Sequence, residues 1–95
     1  MEQLMFWSKK NDHSATIEKI ALSLIDSKQE KGALPFLSLK EAADYAKDKS
    51  PLISAGFVQC HSIIGSGYYN LEFKPHPENG VYMSVYYYGE AKDLE

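Results

Sequence analysis

Apolar residues recur at helical spacing in the first half of the chain and at every second position in the last third. The sequence therefore divides into a helical part and a β part. Ile17, Ile20, Ala21, Leu24 and Ile25 fall at the i, i+3, i+4, i+7, i+8 positions of one helical face, with Glu18, Lys19, Asp26 and Glu30 largely outside it. With Asp12 or Ser14 as cap and Gly32 as stop, the pattern predicts a helix over about 14–31. Ser38-Leu39-Lys40-Glu41 is a capping box that opens a second helix, carried by Ala42, Ala43, Tyr45 and Ala46 to about Asp48 and ended by Ser50-Pro51. The phrase LSLKEAADYA is similar to the first helix of helix-turn-helix DNA binders. Pro51 and period-two sequence follow where a recognition helix would lie, which excludes that class.

From Phe57 onward the period is two, predicting strands at 57–64, 68–74 and 81–88. Gly65-Ser66-Gly67 makes the first turn and 76–80 the second, where Asn79-Gly80 supplies a positive φ at little cost. At the start, Leu4-Met5-Phe6-Trp7 precedes a polar break and reads as an arm or edge strand over 1–12. The expected fold class is α+β: two helices packed on one face of a three-stranded antiparallel β-meander, with an N-terminal edge strand as an option, in the order (β)ααβββ. One domain spans 1–95, with a helical half at 14–49, the meander at 57–88 and a tail at 89–95. Leu94-Glu95 reads as a cloning remnant without a structural role.

The hydrophobic pattern also selects a register, because a one-residue slip would turn every side chain to the other face. Closing the first turn on Ser66-Gly67 pairs Ile64 with Tyr69, Ser62 with Leu71 and Cys60 with Phe73. The second turn pairs Phe73 with Met83, Leu71 with Val85 and Tyr69 with Tyr87. Val58, Cys60, Ile64, Tyr69, Leu71, Phe73, Met83, Val85 and Tyr87 then form the core face. The opposite face carries the rows Gln59-Lys74-Tyr82, His61-Glu72-Ser84 and Ile63-Asn70-Tyr86, with Tyr68 beside Tyr88.

Composition changes this picture in two ways. Six of the seven tyrosines lie between Tyr68 and Tyr88, so about half of that aromatic set must leave the core face. All ten basic residues are lysine, and the net charge is -3, so the basic surface and arginine forks typical of nucleic-acid recognition are both missing. A single cysteine, no membrane-length apolar run and no signal-peptide pattern at the start make the expected compartment the cytoplasm.

The candidate chemistry is thin. His61, Glu72 and Ser84 stand side by side in the expected register and suggest a hydrolytic trio, against which count the open face and the regular strand under the serine. Cys60 and His61 are strand neighbours and point to opposite faces, which rules out a dyad. Gly65-Ser66-Gly67 joins two strands and carries no lysine, so it is a turn and not a phosphate loop. No cofactor or metal motif is present. The expected role is a non-enzymatic binding protein engaging a protein partner of neutral or basic surface, or a second copy through the edge 81–88. Tyr68, Tyr82, Tyr86 and Tyr88 are its expected anchors, with Gln59, His61, Asn70 and Glu72 as polar contacts. The alternatives are a small hydrolase on His61, Glu72 and Ser84, and a single-strand nucleic-acid binder stacking bases on Tyr82, Tyr86 and Tyr88 near Lys74.

Overall fold

The computed structural model describes residues 13–94. They run as α1 (Ser14–Asp26), β1 (Lys31–Leu34), α2 (Leu39–Ala46), β2 (Leu52–Ser54), β3 (Phe57–Ile64), β4 (Gly67–Pro75) and β5 (Val81–Glu90), followed by one 3-10 turn at Ala91–Leu94. The strands make one antiparallel sheet in the order β1-β5-β4-β3-β2. The class is α+β with two helices, as expected, but the sheet has five strands where a three-stranded meander was read. The arm or edge strand expected over 1–12 lies outside the described residues.

The first of the two extra strands follows from where α1 ends. The helix stops at Asp26, well before Gly32, because Lys28 turns left-handed at φ 60. Its N–H then meets the Ile25 carbonyl at 3.1 Å and the Gln29 N–H meets that of Leu24 at 2.9 Å, the paired bonds of a Schellman ending. Lysine takes the position glycine usually fills, so the stop is hidden in the sequence. The residues released by this early end form β1, which pairs with β5 from Lys31↔Ser84 to Leu34↔Val81. Gly32 sits within that strand, where an added Cβ would lie 3.0 Å from Leu24 Cδ2. β2 similarly pairs with the start of β3, from Leu52↔Gln59 to Ser54↔Phe57.

Helix α2 starts on the capping box as read. Glu41 N–H donates to Ser38 Oγ at 3.0 Å, and Ser38 N–H donates to Glu41 Oε1 at 2.9 Å. The bond from the Ser38 backbone is the main reason the Glu41 carboxyl lies below its ordinary range. Glu41 also meets His13 Nε2 at 3.2 Å, which ties the start of α1 to the start of α2.

The pairing of β4 with β5 includes Phe73↔Met83, Leu71↔Val85 and Tyr69↔Tyr87, as the pattern predicted. That of β3 with β4 differs by two residues: Ile64 faces Gly67, Ser62 faces Tyr69 and Cys60 faces Leu71. The loop closes on Gly65-Ser66. Gly65 has φ +61 while Ser66 stays out of the left-handed region, so glycine occupies the first loop position, as in a type II′ turn. A slip of two preserves parity, so the residues of β3 keep their predicted face but acquire different neighbours on β4.

Both helices pack on the same side of the sheet. Ile17, Ala21 and Leu24 of α1 and Ala42, Tyr45 and Ala46 of α2 share one buried cluster with Val58, Cys60, Leu71, Phe73, Met83 and Val85. Tyr45 crosses this layer. Its hydroxyl donates to Glu18 Oε2 at 3.1 Å and so accepts from the buried Ser62 hydroxyl at 3.0 Å. Burial pushes the Cys60 thiol up to about 11, which suits an inert core residue.

Tyr87 was placed in the core but is 57% exposed. It lies toward the end of β5, meets Tyr69 edge-on with ring centroids 5.4 Å apart and donates to Glu90 at 3.0 Å. Nor is 81–88 an open edge, since β1 covers 81–84 and the Glu30 carbonyl accepts from Val85 N–H at 2.8 Å. At Gly80, with φ +69, an added Cβ would lie 2.1 Å from the Leu34 carbonyl oxygen. Only glycine lets the β4–β5 loop press against the end of β1 in this way.

Candidate binding face

With both helices on one side, the outer side of the sheet presents the residues that alternate with the core. From β3 come Gln59, His61 and Ile63, from β4 Tyr68, Asn70, Glu72 and Lys74, and from β5 Tyr82, Ser84, Tyr86 and Tyr88. The observed rows are Gln59-Glu72-Ser84 and His61-Asn70-Tyr86, with Lys74 beside Tyr82. Every candidate binding residue therefore lies on the outer face. The proposed catalytic trio does not line up: Glu72 faces Ser84, whereas His61 faces Asn70 one row away. The register slip separates them, because His61 stands two residues from where the hydrolytic reading needs it.

His61 is instead enclosed by rings. Its centroid lies 5.4 Å from that of Tyr68 and 5.1 Å from that of Tyr88, and the two tyrosines are 6.0 Å apart. A register irregularity between Tyr68 and Tyr69, where β4 passes from Gly89 to Tyr87 as partner, leaves Tyr88 as the extra residue of a bulge. Tyr88 is 60% exposed and Tyr86 43%, and Ile63 beside Tyr68 is 60% exposed. Beside this cluster Asn70 is only 7% exposed, and its Oδ1 has no hydrogen-bond partner. A buried acceptor is expected to find a partner, since leaving one unmet costs about 1–3 kcal/mol.

The other end of the face is polar and cationic. A groove of about 580 Å³ runs beside β5, lined by Glu30, Lys31, Lys74, Tyr82, Ser84 and Tyr86. Lys31 reaches over Tyr82, its Nζ 4.7 Å from the ring centroid, and Lys74 Nζ lies 5.8 Å from that of Phe57. His76 stacks on Tyr82 with centroids 4.3 Å apart, its Nδ1 accepting from Glu78 N–H at 3.0 Å. The sequence reading missed this groove because it treated Lys31 as the end of a helix. Ser62 carried a usable signal for the other omission: a hydroxyl in the apolar row Val58, Cys60, Ile64 demands a partner, which Tyr45 supplies.

Among the described residues no group of three or more His, Cys, Asp and Glu is placed to hold a metal ion. Among the same residues no helix is long and apolar enough to cross a membrane. No protein-family model, curated protein or solved structure matches the chain.

Proposed function

We propose that this chain is a non-enzymatic binding protein that engages a protein partner through the outer face of its sheet. The observation that carries this reading is the unequal use of the two faces. The helices consume one side, while the other presents Tyr68, Tyr86 and Tyr88 near Asn70, whose buried amide oxygen no described residue meets, and Tyr82 two rows away beside Lys74. Tyrosine offers large contact area with little rotamer entropy to lose, which suits a recognition surface. Tyr82 and Tyr86 anchor the groove end, Tyr68 and Tyr88 the ring cluster, with Gln59, His61, Asn70 and Glu72 as polar contacts between them. His61 and Glu72 stand in neighbouring rows and not in one, which favours the binding reading over a hydrolase.

Affinity capture from source cells tests the proposal, with wild type beside a folded Tyr82→Ser/Tyr86→Ser double variant. A partner held by wild type and lost by the variant is the expected outcome. Equal capture by both would overturn the assignment of the face. Pairing with a second copy through β5 is confined to 86–90, because β1 lies along 81–84 and the Glu30 carbonyl takes the Val85 N–H. Sedimentation of the purified chain distinguishes that form of engagement by its mass.

A further inference from the structure

The net charge of -3 argues for a neutral or basic partner, but the groove on the outer face has the opposite local balance. Lys31 and Lys74 approach it from β1 and β4, on either side of β5. From the sheet spacing their Cα atoms stand about 12 Å apart, so their side chains can converge above Tyr82 and Ser84. Neither lysine forms an ion pair among the described residues; each rests its ammonium on a ring instead. The Tyr82 and Ser84 hydroxyls add two donors to the floor. Only Glu30 among the lining groups is acidic.

We infer that this groove seats an acidic side chain, an aspartate or glutamate carboxylate, from the protein partner. The inference rests on the binding reading above and specifies the chemistry of one of its contacts. The carboxylate draws the Lys74 ammonium from the Phe57 ring toward Lys31, sits between the two, and accepts from the tyrosine and serine hydroxyls. The cationic patch is too short for a nucleic-acid strand. Glu30 borders it, Glu72 lies in the Lys31-Ser84 row, and the chain as a whole repels a continuous polyanion. A carboxylate on a short side chain meets the lysines without crossing those glutamates.

The test is a titration of the full ¹⁵N-labelled chain, read by amide NMR shifts, with the peptide Gly-Glu-Gly-Glu-Gly and its glutamine counterpart. Shifts at Lys31, Lys74, Tyr82 and Ser84 are expected with the glutamate peptide alone, fading as salt is added. Lys31→Gln/Lys74→Gln changes two exposed residues and should weaken the peptide about tenfold. Groove shifts that are absent, equal with the glutamine peptide or unchanged in the lysine variant would overturn the inference. So would tighter, lysine-dependent binding of oligothymidylate at the same amides, which would make a nucleic-acid strand the occupant. Partner capture separates this inference from its foundation. A partner that survives the lysine change but is lost by Tyr82→Ser/Tyr86→Ser retires the acidic contact alone. A partner that survives both changes retires the face.

Discussion

Two polar side chains are buried in the described sheet, Ser62 on the inner face and Asn70 on the outer, and they are treated in opposite ways. Ser62 is 4% exposed and its hydroxyl finds Tyr45, which in turn finds Glu18. Asn70 is 7% exposed and its Oδ1 finds nothing. Ser62 lies on β3 and Asn70 on its paired neighbour β4, so strand pairing does not account for the difference. The inner face has helices over it that complete its hydrogen bonds and fill its volume. The outer face holds an acceptor that no described residue meets.

The largest expected effect tests whether the faces differ in energy as they do in cover. Phe73 is wholly buried on β4 and meets Tyr45 edge-on at 6.2 Å. Phe73→Ala should cost about 3–5 kcal/mol in urea unfolding. Tyr86→Ser, on the neighbouring strand of the outer face, should cost no more than about 1 kcal/mol, the scale of a cross-strand pair. Comparable losses for the two would mean that the outer tyrosines are structural, and the binding reading would lose its basis.

A smaller effect probes the inner polar chain. Tyr45→Phe keeps the ring but leaves the Ser62 hydroxyl buried without its acceptor, at about 1–3 kcal/mol. The phenol is raised above its ordinary 10.0 chiefly by burial, with the Ser62 bond opposing and Glu18 adding to the rise. A group raised on folding contributes stability that is complete below its unfolded value and lost as pH climbs above it. Wild type should therefore lose stability above pH 10 more steeply than Tyr45→Phe, as thermal unfolding across an alkaline series would show. Parallel curves would place the phenol in water.

What the sequence disclosed depended on whether the signal was local. The Ser38–Glu41 box, the stripe of Ile17, Ala21 and Leu24, and the alternation over Phe57–Ile64 are each carried by residues within one element, and each was legible. β1 and β2 are four and three residues long, without alternation of their own, and become strands only by pairing with β5 and β3. Lys28 gave no warning that it would take a left-handed φ. The membership of the outer face survived the misread turn because a slip of two keeps parity. The neighbours that β3 gives β4 did not survive it, which moves His61 out of the Glu72-Ser84 row, and the Lys31–Lys74 groove is hidden because the pattern places Lys31 at the end of a helix. Face assignment is a coarse property of a strand pattern, while a site depends on register and on strands that only the tertiary fold creates.

The smallest effect bears most directly on the contrast between Ser62 and Asn70. Asn70→Leu keeps the number and branching of side-chain heavy atoms, puts two bulkier methyl groups in place of the amide oxygen and nitrogen, and replaces a poor strand former with an apolar side chain that has no acceptor to satisfy. Between His61 and Tyr86 such a residue gains apolar contact and removes the unmet oxygen. Stability should rise by about 1 kcal/mol, while capture of the partner falls. The matching inner change, Ser62→Val, should move the other way, because it strips Tyr45 of the donor it accepts from. Opposite signs at two buried polar positions of one sheet would establish that its inner face is arranged for folding and its outer face for contact. A loss of stability at both would show that solvent already satisfies Asn70, and the tyrosines alone would then have to carry the case for the outer face.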